Sequence, residues 1–595
     1  AREVGRAPRE IAGELLAGIE TPDLVREIEV AGPGYLNVFL DRPAVAARLL
    51  ADGTGWYPEE DRGKVVVEHT NINHNKAAHI GHLRNAVLGD VLVRCLRSLG
   101  RPVEVQNYVD DTGVQVADVV VGFLDLRGLS HDEVAAIPEP FDSVCWDLYS
   151  EVGRWYEEDD SRLTHRRQTL RELEEGVGER ARLGRLVARR VLARHLATMA
   201  RLEIDYDLLT RESDILTLDF FHRAFEQLVD RKAIHEETEG KNAGCWVMPL
   251  AHSEEFAGLE DPDKVIVRSD GTVTYVGKDI AYQLWKFGLL GRDFRYRPWE
   301  EWDLWETCSE DGVEPHPDFG GASDVINVID VRQSYLQKIV KAGLEALDYV
   351  EEAGRSVHFA YEMVSLSPAT ARQLGYELEE SLEGEAGSLE MSGRKGVGVK
   401  ADDLLDRLTE KAREEIESRN RELPEEELRD LSIQIATAAL RFFMVKASTN
   451  RIISFDFEEA LSFEGESGPY LQYALVRLAN IRRKLVEAGI ADEIAPNAVA
   501  ETGAERWSDD LWDLVLHAAR IGESVDRAAR TLELSLVARH ALDLAQKFNA
   551  LYHKHPILQE EDEELRSVRL TACLVFADAL RRLCALLGVP IPERM

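Results

Sequence analysis

The sequence predicts an α/β protein with a doubly wound parallel sheet, a small α+β domain before it and an all-α bundle after it. Three observations predict this class. Residues 64–109 have the pattern of a strand, a polar loop, an apolar helix and a second strand. Residues 205–364 again alternate strand-like and helical segments, and residues 405–595 are almost entirely amphipathic and helical. We therefore expect domains over residues 1–58, 59–404 and 405–595.

The N-terminal domain is predicted to be a helix followed by a β-hairpin. A helical apolar pattern covers residues 9–19, and strand-like segments follow at 24–30 and 35–40. Gly32-Pro33-Gly34 lies between these two segments and is a typical turn sequence. The two strands are therefore expected to pair with each other.

The parallel sheet is predicted to begin at residues 64–68, whose three central valines are typical of a buried strand. The helix after the polar loop has its apolar residues on one core-facing stripe: Leu83, Val87, Leu88, Val91, Leu92, Cys95, Leu96 and Leu99. Gly100 and Pro102 are expected to end that helix, and residues 103–109 return as a strand. This order is a βαβ crossover unit.

Two further segments interrupt the alternation. Residues 120–200 are mainly helical, charged and rich in arginine, and we expect a helical insertion there. Residues 294–321 are acidic, contain several tryptophans and lack a regular period. We expect this second segment to be an irregular excursion on the surface.

The formal net charge is −38, from 71 Lys and Arg against 109 Asp and Glu. Such acidity normally argues against a nucleic-acid partner, because affinity for phosphates depends on cations. The acid is spread along the whole chain, which also fits adaptation to a very salty cytoplasm, where repulsion is screened within ~3 Å at 1 M salt. An RNA site then requires a local basic patch.

The composition also bears on compartment and targeting. None of the six cysteines forms a C-x-x-C pair, so we expect neither a zinc knuckle nor a disulfide framework, and a reducing cytoplasm fits. No run of ~18 apolar residues is present, so no transmembrane helix is expected. The first twenty residues mix charges of both signs and do not resemble a signal peptide. The chain lacks an initiator Met, from which we expect some N-terminal residues to be missing.

The first candidate site is His79-Ile80-Gly81-His82, between the first strand of the sheet and the helix. Two imidazoles three residues apart at a helix start share one face, and the helix N-terminus favours an anion. Such groups would stabilise charge on a phosphate as nucleotidyl transfer proceeds, and Gly81 would let a flat base approach. In isolation the motif favours the alternative that one histidine caps the helix and the other is solvated, but its position after a strand and before an apolar helix reverses this preference.

The wider context resembles one enzyme family. His-Ile-Gly-His is similar to the ATP motif of class I aminoacyl-tRNA synthetases, and residues 67–86 and 105–113 resemble the arginyl-tRNA synthetases in particular. The resemblance implies a Rossmann-type catalytic domain, a tRNA-contacting N-terminal domain and a helical anticodon-binding domain. It also implies that arginine reacts with ATP to give arginyl-adenylate and pyrophosphate, and that arginine then passes to the 3′ end of tRNA(Arg).

A second motif of the family has a degenerate counterpart here. Residues 391–396, Met-Ser-Gly-Arg-Lys-Gly, resemble the mobile loop that contacts the ATP phosphates. The resemblance places Met391 and Ser392 at ATP, and Arg394 and Lys395 at the phosphates, although both lysines of the usual motif are replaced. In the family a lysine just before the histidine motif compensates, and Lys76 occupies that position. Taken alone, the segment is equally an ordinary basic loop.

The third group of residues would select the amino acid. A guanidinium requires carboxylates in bidentate geometry. Residues 268–281 resemble the arginine-binding stretch of the family, which implies that Asp279 pairs with the guanidinium and that Tyr275 packs beside it. By themselves these two residues fit an ordinary helix start with a core aromatic. The other family positions matched for arginine binding are Glu68, Asn73 and Gln333.

The fourth group lies in the helical C-terminal region. Tyr470 and Tyr473 flank Gln472 near the start of a helix that ends with several cations. Exposed aromatic rings beside cations suit the unstacked bases of an RNA loop. The resemblance assigns these three residues, with Tyr552 and Met595, to anticodon binding. Half-buried core tyrosines are the alternative.

Together these observations predict a cytoplasmic monomer from a halophilic archaeon, and no membrane partner is expected. The expected ligands are arginine, tRNA(Arg) and ATP with Mg²⁺ as substrate, without a tightly bound protein metal. Three alternatives stay open: a class I synthetase for another amino acid, a non-catalytic tRNA-binding paralogue, and a different nucleotidylyltransferase. A neutral amino acid would leave Asp279 unpaired in a buried site, which is costly.

Overall fold

The computed structural model describes most of the chain, namely residues 5–55, 63–250, 256, 263–376, 399–419 and 423–595. The chain forms two compact units, which we call the α/β unit and the terminal unit. The α/β unit comprises Pro58–Ala460 and Ala529–Ser535. The terminal unit comprises Ala1–Tyr57, Leu461–Ala528 and Leu536–Met595.

A seven-stranded sheet is the centre of the α/β unit. In spatial order its strands are Ser356–Tyr361, Asp324–Asp330, Val65–Glu68, Val103–Val109, Leu208–Arg211, Trp305–Cys308 and Arg295–Pro298. Neighbouring strands are parallel, except that the edge strand Arg295–Pro298 is antiparallel to its neighbour. The predicted doubly wound parallel sheet is confirmed.

The predicted βαβ unit is also confirmed. The strand Val65–Glu68 is buried along its whole length, and the helix Ile80–Ser98, here called the histidine helix, connects it to the strand Val103–Val109. Later in the chain, Asp324–Asp330 pairs on the other side of Val65–Glu68. The strand order therefore reverses between these two strands, and a crevice opens at their carboxyl ends.

The prediction for residues 294–321 was wrong. This segment contributes the strands Arg295–Pro298 and Trp305–Cys308 to the main sheet. Tyr296 and Thr307 are completely buried, and Trp305 pairs with Leu208 of the next strand. The two strands are only four residues long, so their sequence shows no period that would distinguish them from a loop.

Helices cover both faces of the sheet and build the predicted insertion. The insertion contains Val114–Val121, His131–Ala135, Phe141–Glu158, Leu163–Glu175 and Glu179–Ala200, with a π-helical turn at Gly122–Leu126. It has its own apolar core. The remaining α-helices of the α/β unit before residue 376 are Glu212–Thr217, Phe220–Asp230, Tyr275–Lys286, Ser334–Ala346, Val350–Arg355 and Pro368–Gln373. A small antiparallel sheet consists of His235–Glu236, Trp246–Met248 and Lys264–Val267.

The compact α/β unit extends beyond the domain boundary that the sequence predicted at 404/405. The helices Ala401–Arg419 and Glu425–Lys446 pack on the histidine helix, and the strand Ile453–Phe455 pairs in parallel with Val364–Leu366. The completely buried Arg441 forms an ion pair with Asp90 of the histidine helix. Helical periodicity is the same on either side of residue 404, and the predicted domain boundary stays a prediction.

The buried pair of Asp90 and Arg441 leads to a stability prediction. We expect Asp90→Ala to lower the free energy of unfolding of the α/β unit by about 3–5 kcal/mol, because it leaves a buried guanidinium without its carboxylate. Arg94 also contacts Asp90, at 2.7 Å, but its side chain is more exposed. Arg94→Ala is therefore the control, with an expected loss below about 1 kcal/mol. Urea denaturation of both variants measures the difference, and equal losses would contradict the role given to Arg441.

The terminal unit combines the beginning of the chain with a helical bundle. The helix Pro8–Gly18 and the antiparallel strands Val25–Ala31 and Tyr35–Leu40 confirm the predicted helix and hairpin. The remaining helices are Arg42–Asp52, Gly468–Glu487, Pro496–Ala500, Asp509–Ala519, Ile521–Thr531, Ser535–Lys554 and Glu563–Leu587, and the helix Phe457–Leu461 precedes them at the unit boundary. Thr54 donates to Asp578 through its amide and its hydroxyl, each at 2.6 Å. In the described residues, no helix has the length and hydropathy that crossing a membrane requires.

Candidate active site

A cleft of about 390 Å³ lies at the carboxyl ends of the parallel strands. Glu68 and Asn327 come from the two strands between which the strand order reverses. The start of the histidine helix and one face of the helix Tyr275–Lys286, here called the pocket helix, complete the walls. Crevices at such a reversal point are the usual ligand sites of open α/β sheets.

His79 and His82 line this cleft and hold each other in place. His79 is the N-cap of the histidine helix, and its Nδ1 accepts a hydrogen bond from the Gly81 amide at 3.1 Å. His82 Nδ1 accepts from the His79 amide, also at 3.1 Å, and the two ring centroids are 3.6 Å apart. A Cβ at Gly81 would lie 3.0 Å from His79 Cε1 and press on that ring. Both histidines, rather than one, thus cap backbone amides.

Burial keeps the two rings neutral. Burial, with the nearby charges of Lys76 and Arg332, lowers the pKa of His79 to about 4. Burial, with His79 beside it, lowers the pKa of His82 well below its usual value. Because both Nδ1 atoms accept hydrogen bonds, each neutral ring carries its proton on Nε2. The cleft therefore contains two Nε2–H donors, which can stabilise charge that develops on a phosphate.

A buried lysine organises another part of the cleft. Lys286 forms an ion pair with Glu68 and donates to Asn327 Oδ1 at 3.0 Å. The second oxygen of Glu68 accepts from Asn71 Nδ2 at 2.6 Å. The carboxylate of Glu68, which the family resemblance assigned to arginine binding, is thus already fixed from two sides by protein groups.

Asp279 differs from Glu68 because it has no such partner. It lies on the pocket helix and lines the cleft, and no hydrogen bond or ion pair joins it to another described residue. Burial, together with the negative charges of Glu212 and Glu68, raises the pKa of Asp279 to about 8. A cationic ligand would relieve this repulsion and lower that pKa, so the site favours a positively charged group.

Tyr275 lies one helical turn before Asp279 but does not line the cleft. Its side chain is 56% exposed, and its hydroxyl accepts from Lys264 Nζ at 3.3 Å. The ammonium of Lys264 also lies 5.4 Å from the centre of the Tyr275 ring and 5.6 Å from that of Tyr335. The structure therefore does not bring Tyr275 and Asp279 together, although the sequence predicted that both face one pocket.

The other predicted residues are distributed unevenly. Asn73 and Gln333 are exposed and line the cleft. Lys76 does not line it: its ammonium lies 4.7 Å from the centre of the Trp146 ring and 5.5 Å from that of Tyr149. Burial lowers the pKa of Lys76 to about 8. The predicted loop residues Met391, Ser392, Arg394 and Lys395 lie outside the described residues.

Several cleft residues were not predicted. Lys286 and Asn327 form the buried network around Glu68, and Asn71 connects that network to the next strand by accepting from the Tyr108 amide at 2.8 Å. Thr70 and Asn71 have φ of 77° and 41°, which is strained for residues other than glycine and is typical of functional loops. The available signal was Asn327, a single amide in the apolar middle of its strand, because buried polar groups require partners.

The second predicted site lies in the terminal unit, where three tyrosines surround Arg477. Its guanidinium is 4.7 Å from the centre of the Tyr473 ring and 5.5 Å from that of Tyr552, and it donates to Asn549 Oδ1 at 2.6 Å. Asn549 in turn donates to the Tyr470 hydroxyl at 2.8 Å. Tyr473 is 37% exposed. Aromatic rings next to a guanidinium form a surface on which bases can stack.

Gln472 takes a different place from its neighbouring tyrosines. It is completely buried, and its amide donates to the Pro590 carbonyl at 2.6 Å. This bond holds the end of the chain, which includes the partly exposed Met595, against the helix Gly468–Glu487. Gln472 thus positions the C-terminal segment. The family resemblance had assigned it to anticodon binding, but its buried side chain does not offer a surface to RNA.

Three family models match successive parts of the chain. The N-terminal domain of arginyl-tRNA synthetases matches residues 1–40. The class I catalytic domain specific for arginine matches residues 44–288. The DALR anticodon-binding domain matches residues 471–595. Their order agrees with the order of the domains in the structure.

Comparison with individual proteins covers the whole chain. The arginine–tRNA ligase of Thermococcus kodakarensis is 37% identical over 100% of this chain and 92% of the relative. That of Deinococcus radiodurans is 36% identical over 100% and 93%. The solved arginyl-tRNA synthetase of Thermus thermophilus shares 33% identity and superimposes with a TM-score of 0.83, covering 100% and 93% of the two chains. The chain therefore belongs to the arginyl-tRNA synthetases, the class I family of arginine–tRNA ligases.

Proposed function

We propose that the cleft activates arginine with ATP and that the activated arginine is transferred to the 3′ end of tRNA(Arg). The observation that carries this proposal is the content of the cleft: two neutral Nε2–H donors on His79 and His82, and a partly buried carboxylate, Asp279, that forms no hydrogen bond or ion pair within the described residues. The donors suit a phosphate, and the carboxylate suits a guanidinium.

In the activation step the carboxylate of arginine attacks the α-phosphorus of ATP, and pyrophosphate leaves. The Nε2–H groups of His79 and His82 stabilise the charge on the phosphate oxygens as the bond to pyrophosphate breaks. Since both rings are neutral, they act as hydrogen-bond donors and not as acids. Catalysis then consists of positioning and electrostatic stabilisation. Mg²⁺ enters with ATP as part of the substrate.

Arginine selection is assigned to the carboxylate side of the cleft. Asp279 pairs with the guanidinium, and the fixed carboxylate of Glu68 adds negative potential. Asn73 and Gln333 line the same cleft and are within the region that the polar ends of arginine would occupy. Tyr275 reaches the ligand only if its side chain leaves Lys264. Met391, Ser392, Arg394 and Lys395 are assigned to ATP through the sequence resemblance alone, and Lys76 contributes charge near His79.

The tyrosine cluster of the terminal unit is assigned to the anticodon loop. Tyr473, Tyr470 and Tyr552 offer rings, and Arg477 offers a cation, in a chain whose net charge is otherwise strongly negative. A local cation among aromatics is the feature that RNA binding requires here. Met595 lies in the terminal segment that Gln472 fixes.

We also propose that the protein works as a cytoplasmic monomer in a halophilic archaeon. The net charge of −38 supports the halophilic part of this proposal, because carboxylates along the whole chain repel each other at low salt. At ~1 M salt the repulsion is screened over ~3 Å, and the folded state is favoured.

The experiment is the attachment of each labelled amino acid to total tRNA with Mg-ATP, in low salt and at molar KCl. We expect arginine alone to be attached, and at a higher rate in molar KCl, because screening removes the repulsion among the carboxylates. Attachment of another amino acid would contradict the assignment of Asp279. Binding of tRNA without any attachment would favour a non-catalytic paralogue, and a rate that falls steadily with salt would contradict the halophilic origin.

A further inference from the structure

Asn85 joins three walls of the cleft. It lies on the histidine helix one turn after His82, lines the cleft and is only 6% exposed. Its Oδ1 accepts from the Thr70 amide at 2.5 Å. Its Nδ2 donates to the Val328 carbonyl at 2.8 Å and to the Tyr361 hydroxyl at 2.9 Å. Both polar atoms of the side chain are therefore used within the protein, which suits a residue that positions the cleft rather than one that binds its ligand.

Of the three walls, the one at Thr70 depends most on Asn85. Val328 and Tyr361 belong to neighbouring parallel strands, whose ladder of main-chain hydrogen bonds holds them in place. Thr70 follows the first strand of the βαβ unit and lies in no strand or helix. Its φ is 77° and that of Asn71 is 41°, and we call these two residues the left-handed pair. Such a conformation persists only where the surroundings fix it, and the bond from the Thr70 amide to Asn85 is one such fixing contact.

The left-handed pair determines the direction of the Asn71 side chain. Asn71 Nδ2 donates to Glu68 Oε1 at 2.6 Å, and its Oδ1 accepts from the Tyr108 amide at 2.8 Å. Its main-chain amide donates to Asn107 Oδ1 at 3.1 Å. A change of φ at Thr70 would swing the Asn71 side chain away from Glu68. The contacts thus run from Asn85 through the left-handed pair to the carboxylate of Glu68.

We propose that Asn85 is a positioning residue of the arginine half of the cleft: it holds the left-handed pair, and the pair holds the Glu68 carboxylate in the direction that arginine requires. We expect Lys286 to keep its ion pair with Glu68 when Asn85 is replaced, so that the carboxylate turns without losing its charge. The inference rests on the proposed function of the cleft, because it takes Glu68 as part of the arginine site.

The first test is Asn85→Ala, which removes the three hydrogen bonds. We expect the Kd of arginine, measured by equilibrium dialysis, to rise by roughly tenfold, because the carboxylate is misplaced. The KM of ATP should stay within about threefold, since His79 and His82 are fixed by the first turn of the helix and not by Asn85. Ser98→Ala is the control: it removes one hydrogen bond, to the Cys95 carbonyl, at the other end of the same helix and should change neither constant.

A double-mutant cycle tests whether Asn85 acts through Asn71. Asn71→Ala removes the bond to Glu68 directly and should itself raise the Kd of arginine by roughly tenfold. Asn85 then has nothing left to position, so the variant with both substitutions should bind arginine within about threefold of Asn71→Ala alone. Independent effects would multiply instead, to roughly 100-fold. Should Asn85→Ala fail to fold, Asn85→Ser gives the same comparison, because its hydroxyl satisfies part of the polar surroundings but cannot reach all three partners.

An arginine Kd that changes by less than about threefold in Asn85→Ala would overturn the inference, even if kcat falls, because loss of active protein lowers kcat alone. Independent effects in the cycle would overturn it as well, and so would arginine and ATP weakened alike, since the whole cleft would then depend on Asn85. Failure of the wild-type protein to bind arginine would instead contradict the proposed function of the cleft.

Discussion

His82→Ala should lower the rate of arginine activation by roughly 10²- to 10³-fold, the usual effect of removing one hydrogen-bond donor to a developing negative charge. The reason is the tautomer: His82 lines the cleft and its Nδ1 accepts from the His79 amide, so the neutral ring carries its N–H donor on Nε2. The measurement is arginine-dependent exchange of pyrophosphate into ATP in the presence of tRNA. The KM of arginine should change little, because His82 is assigned to the phosphate.

His82→Asn separates the donor from the cap. Its side-chain oxygen can accept from the His79 amide in place of Nδ1, so the helix start should remain stable. It lacks Nε2, however, and the rate of activation should fall as far as in His82→Ala. Near-normal activity in His82→Asn with a stable fold would show that the histidine acts only as a cap.

Asp279→Asn should raise the Kd of arginine by roughly 10²- to 10³-fold, while the KM of ATP stays nearly constant. The substitution preserves the shape of the side chain but removes the charge that the guanidinium requires. Equilibrium dialysis of arginine and steady-state kinetics for ATP give the two values. Asp270→Asn, which changes an exposed carboxylate near the same helix, is the control and should have no effect on either.

The same residue should make arginine binding depend on pH. Without a ligand, burial and the negative charges of Glu212 and Glu68 raise the pKa of Asp279 to about 8, although the cations Lys286 and Lys278 act in the opposite direction. Asp279 is therefore mostly protonated below pH 8. The guanidinium lowers that pKa, and binding therefore releases a proton. Affinity should be highest above pH 8 and weaken by up to about tenfold per unit below it. In Asp279→Asn this part of the pH dependence should disappear.

Local patterns in the sequence predicted the parts of the fold that depend on local order. The valines of Val65–Glu68 and the apolar stripe of the histidine helix are patterns formed by residues that are close together in the sequence. Both elements were located to within two residues. The same is true of His79 and His82, whose hydrogen bonds lie within one helical turn.

Contacts between distant residues could not be predicted in this way. Lys286 meets Glu68 across 218 positions of sequence, and Gln472 meets Pro590 across 118. Neither partner carries a local sign of the other, so the buried ion pair and the burial of Gln472 appear only in the folded chain. Tyr275 shows a related limit, because spacing on a helix does not determine which neighbour, here Lys264, attracts the side chain.

The central claim is that Asp279, which lines the cleft without an ion-pair partner among the described residues, selects a positively charged side chain. The most direct measurement compares the Kd of arginine with that of citrulline, which has nearly the same shape but a neutral ureido group, at molar KCl. We predict that citrulline binds at least roughly 10²-fold more weakly to the wild-type protein, and that the difference falls below about tenfold in Asp279→Asn. Equal dissociation constants for arginine and citrulline in the wild-type protein would contradict the claim.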